Sequence, residues 1–248
     1  MATLDKFDKE ALTNIIQKLG KAKRIFNSEA QFQFELGWKI KEQFDCKVKF
    51  EELSRIISDI SKKGKPTSKK DYTDLILEKD NLRIAIELKY KTAKYDDINN
   101  NISLKPHGAA DLGRYDFMWD IQRIQGLKRE ITKGQELGIC CPKGYAVILT
   151  NDKHYWDSCP NNNVPQNITV IDKDFFIGEF IEGVKQSRTY IREGDHDWQK
   201  INGQTPKLSE SRKNKITMTK DYPYQWEDYY KNGEMKNGVF RFLIVEVS

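Results

Sequence analysis

An α/β fold is what this sequence predicts, on three observations. Apolar residues recur at helical spacing in two long segments, 5–19 and 109–131. Two strand-like runs, YTDLILE (72–78) and LRIAIELKYK (82–91), flank a turn dipeptide. A continuous apolar run, GYAVILT (144–150), has the character of a central strand buried on both faces. The chain has 248 residues, 38% hydrophobic and 11% aromatic, enough for one sizeable α/β domain with a packed core.

Taken in order, residues 5–19 carry Phe7, Leu12, Ile15, Ile16 and Leu19 as the apolar stripe of a first helix. A second helix follows in NSEAQFQFELGWKIKEQF, with Asn27 or Ser28 as N-cap and Glu29 in the first turn, where the helix dipole favours a carboxylate. Residues 51–61 are expected to form a third, short helix. SKKGKPTSKKD (61–71) is basic, contains Gly and Pro and has no periodicity, so a loop is expected there. In the helix over 109–131, Phe117, Ile121, Ile124, Leu127 and Ile131 make the buried stripe. ITVID (168–172) and VFRFLIVEV (239–247) are further expected strands, and 185–238 reads as loops and short elements. One domain over 1–248 is expected, with its core at about 25–172 and residues 173–248 packed on it.

Charge and motifs narrow the function. The net charge is +5, from 42 basic and 37 acidic residues, mildly basic and compatible with a polyanionic partner. No apolar leader or membrane-length apolar run is present, and Cys46, Cys140, Cys141 and Cys159 have no zinc-ligand spacing. The expected setting is therefore a reducing cytoplasm, with no membrane partner. GKPT (64–67) lacks the upstream glycine of a phosphate-binding loop, so nucleotide hydrolysis is not supported.

The informative feature is IAIELKYK (84–91), where Glu87 and Lys89 interrupt what reads as a core strand. With Asp80-Asn81 as the turn, opposed residues have numbers summing to 161. Leu77 and Ile84, Leu75 and Ile86, and Thr73 and Leu88 then share an almost wholly apolar face. The opposite face pairs Ile76 with Ala85, Asp74 with Glu87 and Tyr72 with Lys89. Carboxylates directly opposed on an antiparallel pair are about 4.5–5.5 Å apart at Cβ and destabilise it. A divalent cation removes that objection, since Mg²⁺ takes one or two carboxylates plus waters and substrate phosphate. A Glu-x-Lys on the wet face of a strand is common. What lifts this one is the opposed Asp and the apolar neighbours Ile76 and Ala85, which imply a covered face.

Thr73-Asp74, twelve residues, then Glu87-Leu88-Lys89 resemble the signature of the PD-(D/E)XK nuclease superfamily, and Glu29 resembles the helix acid many members carry. Thr73 stands where the signature has Pro, a position without a chemical role. The resemblance covers about residues 25–150. It implies a restriction-endonuclease-like core, a mixed central β-sheet flanked by helices, with Mg²⁺ (or Mn²⁺ in its place) held by Asp74, Glu87 and the Leu88 carbonyl. Glu29 would hold a second ion or a water on the metal, and Lys89 would orient or help deprotonate the attacking water. The implied activity is metal-dependent hydrolysis of DNA phosphodiesters by an endonuclease of restriction or other defence type, acting as a homodimer or within a larger defence complex. The competing expectation is a non-catalytic nucleic-acid-binding or interaction protein that retains the fold. Asp116, Asp120, Gln122 and Arg123 lie off the apolar stripe of the 109–131 helix, on a face that could equally approach substrate or be solvated.

Overall fold

The computed structural model describes residues 1–60, 66–127, 137–156, 175, 189–196 and 215–248. It is a mixed α/β protein. Its principal elements are α1 (Lys9–Lys21), α2 (Glu29–Gln43), β1 (Lys47–Ile60), β2 (Pro66–Lys79), β3 (Leu82–Lys91), α3 (Ala110–Leu127), β4 (Leu137–Gly138), β5 (Lys143–Thr150), β6 (Trp226–Lys231) and β7 (Val239–Val247). The hydrogen-bonded order of the central sheet is β6-β7-β5-β3-β2-β1-β4. Chain contacts define two compact units: one of 1–88, 123–147 and 246–248, the other of 89–122 and 148–245. Among the described residues, no helix is long and apolar enough to cross a membrane.

In the first unit, α1 begins at Asp8, whose carboxylate accepts from the Ala11 N–H at 2.8 Å, and buries Leu12, Ile15, Ile16 and Leu19. Ser28 caps α2 through its Oγ, which accepts from the Gln31 N–H, so Glu29 is the first helical residue as expected. The β2–β3 turn is Asp80-Asn81, and Asp80 adopts φ +53°, a left-handed conformation that Asp tolerates. Both faces of this hairpin are covered. Leu75, Leu77, Ile84 and Ile86 are buried on one. On the other, Ile76 and Ala85 pack with Leu127 and Cys141. Gly144 in β5 admits this close packing, because a Cβ there would lie 2.3 Å from Ile124 Cγ2 and 2.9 Å from the Ala85 carbonyl oxygen.

Two expectations are overturned here. Residues 51–60 are not helical: they belong to β1, paired antiparallel with β2 from Lys47↔Glu78 to Ile60↔Pro66. Leu53, Ile56, Ile57 and Ile60 have spacing compatible with a helix, but the partner strand is available along the whole length. Ladder pairing therefore overrides local periodicity, as β-branched residues permit. A bulge between Leu53 and Arg55 absorbs one extra residue. Likewise 66–71 is not loop but the start of β2, and only 61–65 of that expected loop lies outside the described residues. The expected strand at 168–172 also lies outside them, as do residues 128–131 of the helix expected over 109–131.

In the second unit, α3 contributes Phe117 and Ile121 as buried residues, and Gly113 sits against the Tyr155 ring. Asn151 ties the segment after β3 to the β6–β7 turn. Its Oδ1 accepts from the Ala93 N–H at 2.8 Å, and its Nδ2 donates to the Asn237 carbonyl at 3.0 Å. The described parts of 185–238 include short strands, with Thr189–Ile191 on Tyr222–Tyr224, Gly194–His196 on Ile216–Met218, and β6 along β7.

Candidate functional site

Asp74 lies in the middle of β2, where the sheet opens. The β2–β3 pairs run from Lys79↔Leu82 to Leu75↔Ile86, following the expected sum of 161, and stop one residue short of Asp74 and Glu87. The expected direct pairing of those two carboxylates is therefore not formed. In its place Asp74 Oδ2 accepts from the Leu88 N–H at 2.6 Å, so an aspartate side chain occupies a position the ladder would give to a carbonyl.

The β1 side is interrupted at the same level. Phe50↔Leu75 and Glu52↔Thr73 are paired, while Glu51 between them adopts φ +49°. Gln33 of α2 bridges this gap, donating to the Asp74 carbonyl at 2.6 Å and to Glu51 Oε1 at 3.0 Å. A left-handed conformation at a non-glycine residue is strained and is found where surrounding contacts enforce it. Here the enforcing contact is Gln33. The residue holding Asp74 from α2 is thus Gln33, one turn beyond Glu29. Glu29 itself is exposed on the first turn.

Glu87 and Lys89 follow on β3, and each has an opposite charge on α3. The Glu87 side chain is 1% exposed and its Oε1 lies 3.1 Å from Arg123 Nη2. Arg123 also donates to the Tyr72 carbonyl oxygen. Lys89 Nζ lies 2.6 Å from Asp120 Oδ2, with side chains 16% and 4% exposed. Charges this deeply buried persist only when paired, because desolvation otherwise outweighs any gain. Asp120 and Arg123, one helical turn apart, are therefore the charge partners of β3 and not a solvated face. Their spacing held the signal: two opposite charges at i, i+3 on a helix, complementing two opposite charges at i, i+2 on a strand. Gln33 carried no comparable mark in the sequence, nor did Glu51.

Asp71 precedes this centre on β2 and is buried. Its carbonyl accepts from Ser54 Oγ at 3.0 Å. With Ser54, Thr73, Arg123 and Leu127 it borders a depression too narrow to hold a water molecule.

The donors available for an ion are the carboxylates of Asp74 and Glu87 and the carbonyl of Leu88. This all-oxygen set suits Mg²⁺ or Mn²⁺ and disfavours softer metals. Among the described residues no group of three or more His, Cys, Asp or Glu side chains is gathered closely enough to hold a metal. Two carboxylates are within what Mg²⁺ uses, since it retains several waters. The donor types suit the ion, while the Glu87 carboxylate is already matched by the positive charge of Arg123. Comparison with known proteins returns no matching family model, no similar curated protein and no similar solved structure.

Proposed function

We propose that the protein is a metal-dependent nuclease, an endonuclease hydrolysing DNA phosphodiester bonds in a restriction or other defence setting. The observation that carries this reading is Glu87, a carboxylate buried to 1% exposure on a central strand, beside a position where the sheet opens around Asp74. A strand selected for stability alone would place an apolar residue there.

In this reading Asp74 and Glu87, with the Leu88 carbonyl, would hold Mg²⁺. When bound, the ion would lower the pKa of a water and stabilise the charge that develops on the phosphate. The chain's own groups do the rest. The Leu88 N–H orients the Asp74 carboxylate, and Gln33 fixes the Asp74 backbone from the other side. Lys89, held by Asp120, orients the attacking water and offsets negative charge on the phosphate. Glu29, on the first turn of the helix that carries Gln33, would hold a further water or ion. The mildly basic chain suits a polyanionic substrate.

A second reading has an observation of its own. The pairs Glu87–Arg123 and Lys89–Asp120 provide both charges with counter-ions from the chain itself, as in a non-catalytic nucleic-acid-binding or interaction protein that kept the fold. Incubation with supercoiled plasmid in Mg²⁺ or EDTA separates the two. Nicking or linearisation in Mg²⁺ that EDTA suppresses is the expected result. DNA binding without cleavage in Mg²⁺ and in Mn²⁺ would establish the second reading instead.

A further inference from the structure

The break in β1 beside Asp74 is not a slip of register. Phe50↔Leu75 and Glu52↔Thr73 stand in one register, so Glu51 is the residue that faces Asp74, yet it adopts φ +49°. A non-glycine residue held in that conformation is strained, and in mid-strand it turns its backbone out of the ladder.

Hydrogen-bond alternation identifies what the break displaces. Lys79↔Leu82 closes a two-residue turn and is therefore a hydrogen-bonded pair, which makes Leu77↔Ile84 and Leu75↔Ile86 such pairs as well. The residues between them, Ile76 and Asp74 included, direct their N–H and C=O the other way, to β1. In an unbroken sheet the Asp74 carbonyl would accept from the Glu51 N–H. It accepts instead from Gln33 Nε2 at 2.6 Å, and the same nitrogen donates to Glu51 Oε1 at 3.0 Å. Gln33 is buried. One turn further on, α2 lies so close to β1 that a Cβ on Gly37 would be 2.7 Å from the Phe50 ring. A packed helix therefore delivers the Gln33 amide to this gap.

We propose that Gln33 is a wedge that keeps the sheet open at Asp74. Its amide occupies the carbonyl that the Glu51 N–H would otherwise take, and the open strand lets Asp74 Oδ2 reach the Leu88 N–H. Without that amide, Glu51 relaxes to extended backbone and the β1–β2 ladder closes across Asp74, which draws its carboxylate away from Leu88. Gln33 is thus a positioning residue that acts through Asp74. Its consequence for metal binding rests on the metal-dependent reading, whereas closure of the ladder does not.

Gln33→Met keeps the length of the side chain and removes the donor. Amide hydrogen exchange followed by NMR reads the ladder directly: the Glu51 amide should exchange at least about tenfold more slowly in Gln33→Met than in wild type. The thermal midpoint should stay within about 2 °C of wild type, because a ladder bond replaces the lost amide bond and the strain at Glu51 is released. Mn²⁺ binding without DNA, followed by the paramagnetic signal of the free ion, should weaken at least about tenfold. Unchanged Glu51 exchange overturns the wedge, and so does a midpoint fall of more than about 6 °C, which would make Gln33 a support of the fold. Slowed exchange with unchanged Mn²⁺ affinity overturns the positioning role. If Gln33→Met does not fold, Gln33→Asn decides, since its amide is one methylene short of the Asp74 carbonyl: slowed Glu51 exchange supports the wedge and unchanged exchange overturns it. Wild-type protein that binds no Mn²⁺ and leaves plasmid intact overturns the metal-dependent reading, while slowed Glu51 exchange in Gln33→Met would still support the wedge.

Discussion

Replacing Lys89 by Ala is the obvious test of a catalytic lysine, yet the structure indicates that it tests stability as well. Lys89 Nζ is 2.6 Å from Asp120 Oδ2, and the Asp120 side chain is only 4% exposed. Lys89→Ala leaves that carboxylate buried without its cation, a change that costs about 3–5 kcal/mol when one partner of a buried pair is removed. For a chain of this size each kcal/mol shifts the thermal midpoint by roughly 2–4 °C, so a fall of roughly 6–20 °C is expected. Loss of cleavage in Lys89→Ala could therefore reflect unfolding as easily as lost chemistry. The double variant Lys89→Gln/Asp120→Asn removes both charges and keeps both shapes. It should recover most of the lost midpoint, because neutral replacement of a whole buried pair is commonly tolerated. Its midpoint by circular dichroism should lie well above that of Lys89→Ala, while plasmid cleavage remains absent. A Lys89→Ala midpoint within about 2 °C of wild type would refute the claim that the pair is buried and coupled. Cleavage by the double variant at the wild-type rate would remove Lys89 from the mechanism.

Three further outcomes follow from named contacts. Asp74→Asn should abolish cleavage while changing stability by no more than about 1 kcal/mol in urea denaturation, because the Asn carbonyl can still accept from the Leu88 N–H. Gly144→Ala should destabilise the fold by about 1–3 kcal/mol or more, since its Cβ would meet Ile124 Cγ2 and the backbone carbonyl of Ala85, which cannot easily give way; an unchanged urea midpoint would contradict that packing. Burial pushes the Cys141 thiol up to about 12 and raises that of Cys46, so at pH 8 both remain protonated and shielded. A thiol reagent applied to native protein should label exposed Cys140 and spare Cys46 and Cys141, as read by peptide mass spectrometry.

Local chemistry was enough to locate much of this framework. The Ser28 cap and the stripes of α1 and α3 depend on interactions within a few residues, and so does the Asp80-Asn81 turn that sets the hairpin register. All are therefore written in short stretches of chain. The same register count set Asp74 directly opposite Glu87, a pairing the ladder stops short of, and marked the face as covered, which the burial of Ile76 and Ala85 bears out.

What tertiary structure decided is what depends on partners distant in the chain. Residues 51–60 become a strand because β2 lies alongside them, and no feature of EELSRIISDI alone distinguishes that from a helix. The ladder stops at Leu75↔Ile86 because the Asp74 side chain takes the Leu88 N–H and Gln33, 41 residues away, takes the Asp74 carbonyl. Above all, the sequence by itself determined that Glu87 and Lys89 were charges in a covered strand, whereas only the folded chain decided what answers them. Burial obliges each charge to have a counter-ion, and α3 brings Arg123 and Asp120 to provide it.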